Sequence, residues 1–275
     1  MRIVRFVVMF VVLVRIAPTA GETTALRRVV VLSYNIRHGQ GMDQKINLER
    51  IAAVIRSVSP DAVGVQEVDR KTRRSGGIDQ AEELSRLTGL KMVFGRTMDF
   101  EGGQYGNMIL TRLPIAQSEN HPLSYSPGRE PRAVLEVKLA ATSSSSKPPS
   151  GRFSFLATHF DYSQDSTDRL AAVEAIEKLL AAKPDQPVLL AGDLNSTTGS
   201  PALKALGRIW RIAGATQRLP TVPVEKPNRQ IDFILFHPAD RWKVVEVRVL
   251  EEAMASDHRP ILAVLELAPA PSSPK

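Results

Sequence analysis

The chain has 275 residues, 43% of them hydrophobic and 24% charged, with a formal net charge of +7 and no cysteine. That size and apolar content suffice for one large folded domain. The lack of cysteine excludes disulfides, thiolate catalysis and cysteine-held zinc or iron–sulfur centres, and 5% aromatics argues against a stacking platform for single strands.

Met1–Arg5 is basic, Phe6–Val14 is apolar, and small residues gather near Ala20. Residues 1–21 therefore predict a signal peptide or N-terminal anchor, with export to the periplasm or medium expected and a cytoplasmic extension as the alternative. The apolar run, closed by Arg15, is short for a transmembrane helix, so membrane association is expected only if this segment stays uncleaved. Removing Arg2, Arg5 and Arg15 lowers the charge from +7 to +4. That mild basic bias suits a phosphate-bearing partner and equally an ordinary basic surface.

Val29–Tyr34 reads as a buried strand ending at Asn35. Asn47 offers an N-cap to a helix with Leu48, Ile51, Ala52, Ile55 and Val58 on one stripe, stopped at Pro60-Asp61. A second buried strand, Ala62–Gln66, ends at Glu67; a helix over Asp79–Leu87 closes near Gly89. Met108–Thr111 is a short strand. Arg132–Leu139 alternates and pairs with Phe153–Thr158 as a hairpin across the Ser/Pro-rich loop 142–150. Asp165–Ala182 is the longest helix, with Leu170, Val173, Ile176, Leu179 and Leu180 at helical spacing. Strands at 188–191, 231–236, 244–250 and 261–267 follow, with a short helix from Pro201 and a disordered tail over 269–275. Many strands and few helices over one core predict an α+β fold of stacked sheets with helices outside, a single domain over 27–268.

Eight polar residues stand at predicted strand ends: Asn35, Glu67, His159, Asp193, Asn195, Asp232, Asp257 and His258. Singly, each is an ordinary turn or cap residue. Together they stand out, because strand ends of one sheet converge on one edge. Carboxylates can hold a hard cation or take a proton from water, and an imidazole can donate to a phosphate oxygen. Those are the needs of in-line attack on phosphorus.

The segments Ser33-Tyr34-Asn35, Gln66-Glu67-Val68, Gly106-Asn107-Met108, Thr158-His159, Gly192-Asp193-Leu194-Asn195, Ile231-Asp232-Phe233 and Ser256-Asp257-His258 resemble, in order, the motifs of the deoxyribonuclease-like endonuclease/exonuclease/phosphatase family. The resemblance spans residues 29–267. It implies a four-layer α/β sandwich of two packed, mostly antiparallel sheets flanked by helices. It implies Glu67 as the main carboxylate ligand of Mg²⁺ or Mn²⁺, with Asn35 and Asp257 beside it. Asp193 would orient or deprotonate the attacking water, and Asn195 would contact the phosphate. His258, oriented by Asp232, would donate to phosphate, and His159 would be a further phosphate or leaving-group contact. Tyr105, Asn107 and Arg132 are candidate substrate contacts, and Arg70, Arg73, Arg74 and Arg129 are either phosphate ligands or solvated loop charges. His38 has no assigned role.

The implied activity is divalent-metal-dependent phosphodiester hydrolysis, by a nuclease or phosphodiesterase. The alternatives are a phosphomonoesterase, a lipid or inositol phosphate phosphatase, and a non-catalytic binding protein on the same fold. The expected partner is a phosphoester, nucleic acid among the candidates, with no obligate protein partner.

Overall fold

The computed structural model describes residues 27–140 and 151–269. The expected signal or anchor, the Ser/Pro-rich loop and all but the first residue of the expected tail lie outside them. In chain order the elements begin with β1 (Arg27–Asn35), α1 (Leu48–Ser57), β2 (Ala62–Arg70), α2 (Gln80–Thr88), β3 (Lys91–Phe100), β4 (Gly103–Thr111) and β5 (Ile115–Pro122). They continue with β6 (Ala133–Ala140), β7 (Arg152–His159), α3 (Thr167–Ala181), β8 (Val188–Asp193), α4 (Pro201–Leu206) and β9 (Arg211–Ile212). The last are β10 (Asp232–His237), β11 (Trp242–Val249) and β12 (Ile261–Leu267).

Two six-stranded sheets result, ordered β11-β12-β1-β2-β4-β3 and β5-β6-β7-β8-β10-β9. Each contains one parallel pair, β1 with β2 and β7 with β8, and every other pairing is antiparallel. In each pair the connection runs through a helix, α1 or α3, as a parallel crossover requires. The two strand orders superimpose term by term, with β12-β1-β2-β4 matching β6-β7-β8-β10. The chain therefore repeats one framework twice, although its sequence shows no repeat.

Helices cover the outer faces, giving the four layers expected. Leu48, Ile51, Ile55 and Leu84 pack on Tyr34, Val63, Val65 and Met108; Val173, Ile176, Leu203 and Leu206 pack on Leu156, Leu190, Phe233 and Leu235. Between the sheets lie Val31, Ile109, Leu135, Val137, Phe155, Ile234 and Ala263. The starts of α1 and α2 are side-chain capped, Asn47 accepting from Arg50 N–H and Asp79 from Glu82 N–H, and Gly89 closes α2 in the left-handed conformation. One expectation about α3 fails. Its buried stripe runs through Arg169, Ala172, Val173, Ile176 and Leu180, while Leu170 is 37% exposed. Leu170 stands roughly 100° around the helix from Arg169, outside that stripe.

The sheets approach closely beneath the convergent strand ends. A Cβ built on Gly64 of β2 would lie 3.2 Å from the Cβ of Ala191 on β8 and 3.3 Å from that of Ala157 on β7. Three small residues thus set the spacing two or three residues below Glu67, His159 and Asp193.

Candidate active site

The carboxyl ends of the two parallel pairs deliver the polar residues. Asn35 is the last residue of β1, His159 of β7 and Asp193 of β8; Asp232 is the first of β10. In the ladder, His159 pairs with Asp193 and Asp193 with Asp232, so the three stand side by side. Asn195 follows at a positive φ of 43°, its N–H donating to Asp193 Oδ1 at 2.9 Å. The Ser256–His258 loop is tied to β1 by Ser256 Oγ–H donating to Asn35 C=O at 2.7 Å. Glu67 reaches the site differently from the sequence reading. It lies inside β2, where pairing with β4 slips between Val65 and Val68, and its φ is 60°. The bulge turns its side chain to the edge while the strand continues to Arg70.

Donors surround Asp193 Oδ2: Asn35 Nδ2 at 3.1 Å, His159 Nε2 at 3.5 Å and His258 Nε2 at 3.7 Å. Burial, followed by the charge of Asp232, raises the Asp193 carboxyl to about 7. For His258 burial opposes the charged form, but Asp232 and Asp193 outweigh it and push the imidazole to about 10. Asp232 Oδ2 accepts from His258 Nδ1 at 2.9 Å, which directs Nε2–H toward Asp193.

His159 is held in the opposite state. Burial, then Arg132 and His258, lower its pKa well below the usual imidazole value. Arg132 Nη1 donates to its Nδ1 at 3.1 Å. A guanidinium cannot accept a hydrogen bond, so Nδ1 is bare and the ring's single proton sits on Nε2. That atom lies 3.0 Å from Asn195 Nδ2, itself a donor that bonds Phe160 C=O at 3.0 Å, so with Nε2 protonated this contact is not a hydrogen bond. The two histidines thus present N–H donors to one carboxylate oxygen, one fixed as a cation by a carboxylate and the other as a neutral ring by a guanidinium.

Glu67 and Asp257 suit a hard divalent cation. Burial raises the Glu67 carboxyl, its hydrogen bond from Asn35 lowers it, and Asp257 raises it further. A cation between the two carboxylates would relieve both penalties. Asp257 stands at the lip, its side chain 44% exposed, 3.6 Å from Arg37 Nε. Asn35 is oriented otherwise than a ligand would be: Nδ2 donates to Glu67 at 2.9 Å and to Asp193, and Oδ1 accepts from Arg37 N–H at 3.0 Å. It bridges the carboxylates and would ligate only with its amide reversed. Asp193, Asp232 and His258 also lie within 4.8 Å of one another. There, however, a protonated imidazole spends Nδ1 on Asp232, so this trio is better suited to handling protons than to binding a cation.

The cleft between these groups has a volume of about 280 Å³. Tyr105 and Arg132 line it, as does Arg74; so do Met98, Phe100, Glu130 and Tyr162, which no sequence motif singles out. Asn107 does not line it. Buried in β4, it donates to Ala133 C=O of β6 at 3.1 Å and ties the two sheets together. Arg70, the last residue of β2, is turned to Asp79 and the loop residue Arg129 to Asp165, so both are ion-paired. His38, at φ 43°, has a buried Nδ1 with no partner among the described residues.

Residues 32–258 match the model of the Endonuclease/Exonuclease/phosphatase family. The chain belongs to that family. Protein YbhP of Escherichia coli K12 is 26% identical over 251 residues, 86% of this chain and 96% of YbhP. Among solved structures, an endonuclease/exonuclease/phosphatase from Beutenbergia cavernae aligns with TM-score 0.74 at 24% identity, over 90% of this chain and 73% of that one. The Bacteroides thetaiotaomicron mannosyl-6-phosphatase aligns at 0.71 and 18%, over 86% and 99%. D. rerio TDP2, complexed with single strand DNA product, aligns at 0.68 and 15%, over 86% and 98%. At these identities the likeness to solved structures is one of fold. Members of the endonuclease/exonuclease/phosphatase family hydrolyse phosphoester bonds, and the family generally uses divalent metals.

Proposed function

We propose that this protein is a divalent-cation-dependent phosphoesterase that hydrolyses a phosphodiester by in-line attack of water. The observation that carries the reading is the Asp193 carboxylate, buried between a cationic and a neutral histidine and raised to about 7. A carboxylate with that affinity accepts a proton from water near neutral pH without holding it too weakly to help. Its orientation is fixed by Asn195 N–H and Asn35 Nδ2.

As attack proceeds, negative charge grows on the non-bridging oxygens. His258 Nε2–H, held cationic by Asp232, His159 Nε2–H and the Asn195 amide converge where that charge develops. Glu67 and Asp257 would hold Mg²⁺ or Mn²⁺, which supplies charge neutralisation at the phosphate. We also propose that the protein is exported by its N-terminal segment; the mass of the mature N-terminus tests this.

The test of activity is a panel of bis-p-nitrophenyl phosphate, DNA, RNA and phosphomonoesters, with Mg²⁺, with Mn²⁺ and with EDTA. Diester turnover that EDTA abolishes is the expected result. Turnover confined to monoesters refutes the diester assignment, and no turnover of any ester refutes the enzyme.

A further inference from the structure

Arg74 is an arginine of the cleft with an unspent donor edge. Arg132 brings Nη1 to His159 Nδ1 at 3.1 Å and to Glu130 at 2.8 Å, and its Nε, without a partner among the described residues, is buried. Arg74 instead donates from Nε and Nη2 to the two oxygens of Asp69 at 2.8 and 2.9 Å, leaving Nη1 without a partner among the described residues. The fork is rigid. Asp69 is fully buried and also accepts from Thr72 Oγ–H at 2.7 Å. The Arg74 N–H is tied to the Glu101 carboxylate at 2.8 Å. The guanidinium carbon lies 4.6 Å from the centre of the Phe100 ring and 5.4 Å from that of Tyr105. Few rotamers remain to be lost when an anion arrives.

Its position separates it from the reacting phosphate. From Asp193 the wall of the cleft runs through His159, then Arg132, then Tyr105, whose hydroxyl Arg132 meets, and only then Arg74. The groups that would hold the scissile phosphate stand at the near end. Arg132 and Tyr105 stand between His159 and Arg74, while Glu67 lines the same cleft within range of the Arg74 charge. Phe100, against which Arg74 stacks, is also a wall of a neighbouring groove of about 670 Å³, so a substrate can continue past this point.

We propose that Arg74 anchors a second anion subsite, taking a phosphate of the substrate other than the one being cleaved. This rests on the phosphoesterase reading above. The substrate class it names is an ester bearing two phosphate groups. A charge-assisted hydrogen bond from a fixed guanidinium gives a preference on the order of tenfold or more.

The test compares two chromogenic esters that differ by one phosphate, the p-nitrophenyl esters of thymidine 5′-phosphate and of thymidine 3′,5′-bisphosphate cleaved at the 5′ group. The wild type is expected to favour the bisphosphate ester by at least tenfold in kcat/KM, mostly through KM. Arg74→Gln is expected to bring the ratio near one, and Arg74→Lys to keep part of it. A wild-type ratio near one overturns the proposal, and so does an equal loss on both esters in Arg74→Gln. If Arg74→Gln fails to fold, the wild-type ratio and Arg74→Lys still decide. If wild type cleaves neither ester, calorimetric binding of thymidine 3′,5′-bisphosphate against thymidine 5′-phosphate reads the subsite directly. A tenfold preference lost in Arg74→Gln and kept in part in Arg74→Lys then supports the subsite while the hydrolase reading falls; equal binding overturns the subsite too.

Discussion

Gly64 is the position where a single methyl group should be felt at the site. Its missing Cβ would lie 3.2 Å from Ala191 and 3.3 Å from Ala157, inside ordinary carbon–carbon contact. Gly64→Ala therefore requires the sheets to give by a few tenths of an ångström, and Gly64→Val by more. Overpacking of this kind costs about 1–3 kcal/mol. For a domain of this size that lowers Tm by about 3–10 °C for Gly64→Val. Activity should suffer beyond stability, because Asn35 belongs to one sheet and Asp193 to the other, and their 3.1 Å hydrogen bond spans the same gap. A displacement approaching 1 Å costs on the order of 100-fold in rate. The assay is kcat on a chromogenic diester at 25 °C, where the variant remains folded, beside a thermal melt. Gly64→Val with wild-type kcat and wild-type Tm would refute the claim that the small residues set the geometry.

Asp193→Asn should lower kcat by about 10²–10⁴-fold with little change in Tm, since the amide cannot take the water's proton; a smaller loss removes Asp193 from that role. Asp232→Asn should cost about 10–100-fold by freeing the His258 ring, and unchanged kinetics would refute the orienting role. The pH profile of kcat/KM should rise through about 7 as Asp193 loses its proton and fall near 10 as His258 loses its own; a flat profile from pH 6 to 8 contradicts the first assignment. In ¹⁵N spectra His159 should show a bare Nδ1 and a protonated Nε2 at neutral pH, because burial and Arg132 hold the ring neutral. Titration near 6.5 would contradict this.

Much of the centre is legible in the sequence because it sits where buried strands stop. Asn35, His159, Asp193 and Asp232 each abut an apolar run, and the register brings them together. Glu67 is legible as a residue and not as a position: a bulge leaves no apolar or polar mark in the sequence. The edge strands β3 and β5 leave little mark in the sequence, for a physical reason. Each pairs on one side only, and β5 carries Gln117, Ser118, Glu119 and Asn120, so backbone pairing alone makes it a strand. Phe100, Met98 and Tyr162 reach the cleft from β3 and from the loop after β7, a proximity that no local spacing encodes. Arg132 and Arg74 were readable as cations near motifs. What each does depends on its partner, His159 in one case and Asp69 in the other, and partners are a property of the fold.

The doubled framework explains how these groups divide their labour. Equivalent strands end in Asn35 and His159, and their parallel neighbours bring Glu67 and Asp193 to the same edge. Equivalent loops, before β12 and before β6, carry Asp257-His258 and Glu130-Pro131-Arg132. One scaffold has been furnished twice with different side chains, so the cleft has two unlike banks. The bank built by the first sheet carries Glu67 and Asp257, suited to a cation, together with His258. The other carries Asp193 and Asp232 beside His159. The proton-handling group is therefore shared: His258 reaches across to Asp232 at 2.9 Å and Asn35 to Asp193 at 3.1 Å, so the two banks work only while the narrow seam at Gly64 holds the sheets in register.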